Sequence, residues 1–209
     1  MIDFASQLKK LNYEFSELSD SVFLIKNFFE DKDILPIWNL INNSTQDHWK
    51  GAYRKSQELL ALKKFNRTDI DNLIEEGLME YTYNWSDKNI NFNNGEGNAV
   101  NEKLHNLFSF TNELYISDFE GVQRQYSGVD LLEHVDGDAH PQIEYAAIAY
   151  INDDYNGGEV FFSKLGLEFK PPKNSLLIFA NGPNYIHGVR EVLDGPTRYV
   201  LPTFIYHYV

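Results

Sequence analysis

Cysteine is absent from this chain of 209 residues, which excludes disulfide staples, thiolate-bound zinc and a cysteine nucleophile. Its absence also fits a reducing compartment. Basic residues are few: 18 Lys and Arg stand against 31 Asp and Glu, for a formal net charge of −13. Such a surface repels phosphate backbones, so no nucleic-acid partner is expected. Long apolar runs are missing too. No stretch approaches the roughly 18 consecutive apolar residues a membrane span needs, and the opening MIDFASQLKK lacks the basic start and apolar run of a signal peptide. The expectation is a soluble, cytoplasmic protein. There is no internal repeat and no low-complexity tract. The length suits a single domain over residues 1–209, large enough to bury a core without staples.

One segment departs from the acidic balance. Lys50, Arg54, Lys55, Lys63, Lys64 and Arg67 lie close together in sequence. They read either as a solvated helix face or as a patch that guides an acidic substrate.

The texture changes near residue 114. Before it, helical signals dominate. Phe4 to Leu11 is a short amphipathic helix candidate, and Val22 to Phe28 a short apolar strand. Glu30, Asp31 and Asp33 open a helical stretch through Leu40 and Ile41, with acids in the first turn as the helix dipole favours. Ile70, Leu73, Ile74, Leu78 and Met79 recur at helical spacing within Asp69 to Tyr83. Asn89 to Gly97 is polar and glycine-bearing, hence a loop, and Ala99 to Phe110 is a further helix.

After residue 114 the signals are β. Strands are expected at Leu114–Tyr126, Leu131–Val135, Ile143–Ile151, Glu159–Ser163, Leu167–Lys170, Ser175–Ala180, Ile186–Val192 and Arg198–Tyr206, separated by clusters of Gly, Asn, Asp and Pro. About eight short strands at roughly ten-residue spacing are the pattern of a sandwich or jelly roll. The predicted class is therefore mainly β with flanking helices, residues 1–113 supplying helical support and 114–209 a β core.

The chemistry gathers around Leu132-Glu133-His134-Val135-Asp136-Gly137. Residues two apart on a strand share a face, so His134 and Asp136 aim an imidazole and a carboxylate at one point. His187, in Tyr185-Ile186-His187-Gly188-Val189, is the best third ligand, far enough along for several strands to intervene. Two histidines and a carboxylate on one face of a metal leave positions open for a bidentate cosubstrate and O₂, the arrangement of non-heme Fe(II) oxygenases; Zn or Mn also suits this donor set. His-X-Asp by itself is a common pairing, and a lone histidine on an apolar strand is more often a core residue. Order and spacing raise the joint case. Of the other histidines, His140 and His207 lack the strand context and are assigned to structure or solvent, while His48 and His105 stay unassigned. Glu159 is assigned to turn support.

Arg198 follows His187 at the start of the apolar run Tyr199-Val200-Leu201-Pro202-Thr203-Phe204. An arginine entering a barrel interior needs an anionic partner. Its fork matches a carboxylate with two parallel hydrogen bonds, and the remote carboxylate of 2-oxoglutarate would supply one. An arginine at a strand start is otherwise a common surface residue.

With these residues in place, the sequence resembles the prolyl 4-hydroxylase-like branch of the 2-oxoglutarate/Fe(II)-dependent dioxygenases. The resemblance is clearest over residues 114–207. It rests on Gln123-Arg124-Gln125-Tyr126-Ser127-Gly128 ahead of the His-X-Asp segment, Ile148-Ala149-Tyr150-Ile151-Asn152-Asp153, and Asn156-Gly157-Gly158-Glu159-Val160-Phe161-Phe162. Lys173-Asn174-Ser175-Leu176-Leu177-Ile178-Phe179, His187-Gly188-Val189 and Gly195-Pro196-Thr197-Arg198-Tyr199 complete it.

The resemblance implies a double-stranded β-helix with N-terminal helices packed on one sheet. It also implies that His134, Asp136 and His187 bind Fe(II), that Arg198 and Tyr150 hold the distal carboxylate of 2-oxoglutarate, and that Tyr126 lines the cosubstrate pocket. O₂ would be the second cosubstrate and ascorbate a reductant. Tyr150, Phe161, Phe179 and Phe204 are expected to wall the site. Pro202 departs from relatives that carry a small hydroxyl residue there, and some relatives have lysine where Arg198 stands. Since Asp136 is a carboxylate, hydroxylation rather than halogenation is the implied outcome. The implied activity is hydroxylation of a prolyl residue in a peptide or protein, with succinate and CO₂ as coproducts. The alternatives are hydroxylation of a free amino acid or small metabolite, and a non-catalytic cupin-like binding module.

Overall fold

The computed structural model describes residues 4–45, 48–51, 88–136 and 142–207. The helix expected over Asp69 to Tyr83, the basic residues Arg54, Lys55, Lys63, Lys64 and Arg67, and His140 lie outside the described residues.

The first described elements are α1 (Phe4–Lys10), β1 (Phe15–Ser19), β2 (Val22–Ile25) and α2 (Asp31–Asn43). They are followed by β3 (Lys50–Gly51), β4 (Lys88–Asn91) and α3 (Asn98–Phe108). The remainder is β: β5 (Leu114–Ile116), β6 (Gly121–Gln125), β7 (Val129–His134), β8 (Ile143–Tyr150) and β9 (Val160–Phe162). Then come β10 (Leu167–Phe169), β11 (Ser175–Ala180), β12 (His187–Val192) and β13 (Arg198–His207). Among the described residues no helix is long and apolar enough to cross a membrane.

Two antiparallel sheets result. The larger has nine strands, in the order β1-β2-β11-β8-β13-β6-β4-β3, with β5 also on β13; the smaller runs β10-β9-β12-β7. Sheet alternation sorts the large sheet's side chains into two cores. Phe23, Ile25, Tyr145, Ala147, Ala149, Leu176, Ile178, Leu201 and Ile205 face the helices, where they meet Leu8, Ile34, Ile37, Leu104 and Phe108. Their neighbours Val22, Leu24, Ala146, Tyr150, Leu177, Phe179 and Val200 face the small sheet, where they meet Val160 and Phe162. Burial on both faces explains why β2 and β11 read as unbroken apolar runs rather than alternating ones. The expected jelly-roll core, with N-terminal helices on one sheet, is the observed architecture.

The helices are held as well as packed. The Asp33 carboxylate accepts the Glu30 backbone N–H at the start of α2, at 2.7 Å, and pairs with Lys103 of α3 at 2.7 Å. Although burial works against the charged form, the lysine and this hydrogen bond hold the Asp33 carboxyl below its ordinary pKa.

Three expectations change. The single strand over Leu114–Tyr126 is two, β5 and β6, because the chain leaves the sheet between Ile116 and Gly121 to bury Phe119 against the helices. The loop over Asn89 to Gly97 begins as a strand, since β4 pairs with β6 through Asn89↔Gln123 and Ile90↔Val122. β1 was not anticipated; its polar sequence becomes a strand by completing a hairpin with β2 on the sheet edge. In the last two cases a neighbouring strand overrides weak local propensity.

Leu104 is fully buried and Leu35 is 56% exposed. Leu104→Ala should cost about 2–5 kcal/mol in urea unfolding, and Leu35→Ala should stay within about 0.5 kcal/mol.

Candidate metal centre and anion pocket

His134 ends β7 and His187 begins β12, and the two are register partners across that antiparallel pair. Their rings lie 4.4 Å apart, centroid to centroid. Asp136 sits in the turn after β7, so strand alternation is not what aims it. The turn brings its carboxylate to 3.3 Å from His134 Nε2 and 3.6 Å from His187 Nε2. The three offer ligand atoms all within 4.8 Å of one another.

The register between β7 and β12 slips twice, between His187 and Val189 and again between Val189 and Val192. An extra residue in a strand re-aims the side chains around it. Leu131 and His134, three apart, therefore both line the interior cavity.

Each imidazole is fixed by the carbonyl two residues before it. His134 Nδ1 donates to Leu132 O at 2.8 Å, and His187 Nδ1 donates to Tyr185 O at 3.0 Å. A carbonyl can only accept, so Nδ1 carries a proton and each ring turns its Nε2 toward Asp136. Such backing orients ligand histidines and raises their basicity. The His187 ring is 4% exposed and packs on Phe179 at 4.5 Å and Phe162 at 5.7 Å. Burial pushes its pKa below 6.5 against the opposing pull of Asp136, keeping the imidazole neutral as a metal ligand requires. Two convergent Nε2 atoms and a carboxylate fit a divalent cation on one face.

The ligand atoms open onto a cavity of about 460 Å³, walled by Ile148, Val160, Pro202 and Phe204, with Asp118 and Glu120 also in its lining. Phe161, expected in the wall, points the other way. It lies on the outer face of the small sheet under the Arg190 guanidinium, 3.9 Å from the ring centroid, and Phe162 takes the inner position against Phe179 and His187. A displacement of one residue along a strand exchanges its faces.

Arg198 is 2% exposed. One Nη donates to Gln125 Oε1 and the other to the Tyr150 hydroxyl at 3.4 Å, while Nε is buried without a hydrogen-bond partner. Among the described residues no ion pair involves this guanidinium. Burial raises the Tyr150 pKa, so its phenol is neutral and retains a proton to donate. Tyr155, which the sequence reading did not single out, lies 5.9 Å from Arg198 Cζ; its pKa is pushed up to about 12 by burial. Gly158 explains part of the Gly-Gly turn. Its φ is +67°, and a Cβ there would lie 3.0 Å from the Tyr155 ring and 3.2 Å from Arg198 Cδ.

Tyr126 is not brought to Arg198. Its ring lies 4.7 Å from Arg124 Cζ, and that guanidinium is also stacked on Trp49 at 3.9 Å. Along β6 the inward position belongs to Gln125 instead, the register partner of Arg198. The period-2 rule from Gln123 would have pointed to it. The other described histidines stand outside the centre: His48 contacts Thr45, His105 pairs with Asp118 at 2.6 Å, and His207 Nδ1 donates to Glu113 O. The Glu159 carbonyl accepts from Arg190 N.

Residues 121–206 match the family model described as the 2OG-Fe(II) oxygenase superfamily. No curated protein matches the sequence. Among solved structures, the chain is similar to a prolyl hydroxylase from Trichoplax adhaerens in complex with a hypoxia inducible factor oxygen degradation domain peptide fragment. The identity is 13%, the match covers 98% of this chain and 89% of that one, and the TM-score is 0.67. It is also similar to the viral collagen prolyl hydroxylase of Paramecium Bursaria Chlorella virus-1 in its 2OG complex, at 17% identity, 90% and 97% coverage and a TM-score of 0.59. A Pseudomonas putida prolyl-4-hydroxylase matches at 15% identity, 98% and 99% coverage and a TM-score of 0.58. At these identities the likeness carries the fold.

Because the folded protein holds His187 below its unfolded pKa of about 6.5, the unfolded chain binds the proton more readily. The stability linked to this residue is then full above that pH and lost as the pH falls through it toward the lower folded value. Urea midpoints of the metal-free protein between pH 8 and 5 should fall more steeply for the wild type than for His187→Gln; equal slopes would contradict the assignment.

Proposed function

We propose that this protein, whose residues 121–206 match the 2OG-Fe(II) oxygenase superfamily model, is a dioxygenase that hydroxylates a prolyl residue within a peptide or protein. The observation that carries the reading is one pairing: His134, Asp136 and His187 converge on the floor of an open cavity, and a buried Arg198 has no carboxylate among the described residues.

In this reading His134 Nε2, His187 Nε2 and an Asp136 oxygen hold Fe(II). Arg198 and Tyr150 take the distal carboxylate of 2-oxoglutarate, the guanidinium by charge and the phenol by its O–H. When bound, the iron supplies O₂ activation coupled to oxidative decarboxylation of the cosubstrate, giving succinate and CO₂. The chain's own residues position and shield. Leu132 O and Tyr185 O keep both imidazoles in the ligating tautomer. Phe162 and Phe179 pack against the His187 ring and keep water from that side. Ile148, Pro202 and Phe204 form the apolar wall past which a substrate C–H must approach.

The prolyl substrate is supported by the structural neighbours, three of which are prolyl hydroxylases and one of which holds a peptide. The cavity volume of about 460 Å³ also suits a free amino acid or small metabolite, so both classes belong in the test.

With Fe(II), ascorbate and 2-oxoglutarate, the purified protein should form succinate. His134→Ala should abolish it. Arg198→Ala should raise the 2-oxoglutarate requirement at least about 30-fold, the ratio for losing one partner of a buried charge pair. Proline-bearing peptides should stimulate turnover above free amino acids; stimulation by free amino acids alone would move the substrate to the metabolite class. Absence of succinate together with absence of metal and 2-oxoglutarate binding would overturn the oxygenase assignment.

A further inference from the structure

Arg198 is enclosed by groups that satisfy its geometry without cancelling its charge. A guanidinium has five N–H donors in a rigid fork. Here one Nη donates to the Gln125 amide oxygen and the other to the Tyr150 hydroxyl, and Nε is buried without a partner. The side chains of Gln125, Tyr150 and Arg198 are 1%, 0% and 2% exposed. The Tyr150 and Tyr155 rings lie 5.2 and 5.9 Å from Cζ. Every partner of the cation named here is neutral. Gly158 lets Tyr155 and the arginine stem pack together.

The residue across the strand pair from Arg198 decides the charge state of this pocket. β6 and β13 place residue 125 directly opposite residue 198. A glutamate has the same reach as a glutamine and would form an internal ion pair, a common way to compensate a buried arginine. The amide accepts the same hydrogen bond and leaves a full positive charge to be met from outside.

We propose that Gln125 is a positioning residue that confers selectivity for a dicarboxylate. Its neutral amide accepts from Arg198 while leaving the charge for a 2-oxo acid with a second, distal carboxylate, and it is this neutrality, not the hydrogen bond, that sets the selectivity. This rests on the cosubstrate reading above and adds a residue which that reading does not require. An acid at position 125 would both neutralise the guanidinium and repel the incoming carboxylate. It would leave untouched the binding of a 2-oxo acid of the same length ending in a methyl group.

The test is calorimetric binding of 2-oxoglutarate and of 2-oxopentanoate to the Mn(II)-loaded protein without turnover, comparing wild type, Gln125→Glu and Gln125→Met. Wild type should prefer 2-oxoglutarate by about 30-fold or more. Gln125→Glu should weaken 2-oxoglutarate at least about tenfold while leaving 2-oxopentanoate within about twofold, and Gln125→Met, neutral and similar in shape, should keep the preference. If Gln125→Glu does not fold, Gln125→Asp takes its place in the same comparison. Retention of the preference in the acidic variant, equal loss of both ligands, or loss of the preference in Gln125→Met overturns the inference alone. A wild type that does not prefer 2-oxoglutarate overturns the cosubstrate reading and this inference with it.

Discussion

The register that sets His187 of β12 opposite His134 of β7 is the constraint on which the centre depends. Two ligands far apart in sequence become neighbours only because these strands pair, and the turn at Asp136 can complete the set only from the end of β7. The irregularities in that pairing belong to the same arrangement. They place Leu131 and His134 on one wall despite their odd separation. A regular ladder would send one of them to the outer face.

That pair of strands is held by the larger sheet, whose two buried faces do different work. One face packs against α1, α2 and α3 through Tyr145, Ala147, Leu201 and Ile205. The other supplies Phe179, which with Phe162 of the small sheet flanks His187. The metal ligands thus sit on strands braced by a core on the far side of the large sheet. Rigidity of this kind suits a site whose donor atoms must hold their positions to fractions of an ångström.

Charge is distributed with equal economy. Burial favours the neutral form of His187, and two backbone carbonyls accept from Nδ1 and so fix both rings. The acceptors around Arg198 are neutral. The cavity lining carries the His134, Asp136 and His187 donor atoms, and the buried interior holds the Arg198 charge. In the proposed reading, the two together suit a cosubstrate that chelates at one end and is anionic at the other.

The sequence by itself determined the mainly β class and the strand positions after residue 114, and it picked out the metal-ligand candidates and the candidate anion anchor. Each of these is a matter of local pattern: short β-branched runs between turn residues, His-X-Asp, a second histidine opening a strand, an arginine entering an apolar one. Tertiary structure decided what depends on a partner strand. It made strands of residues 15–19 and 88–91, whose own composition is polar. It turned Phe162 rather than Phe161 inward and Gln125 rather than Tyr126 toward Arg198. It also supplied the carbonyls behind the histidines, which no residue type could announce. The physical reason is common to all of them. A strand's two faces are equivalent until pairing and register fix which one is inside, and a backbone carbonyl becomes a second ligand shell only once the fold has chosen where it points.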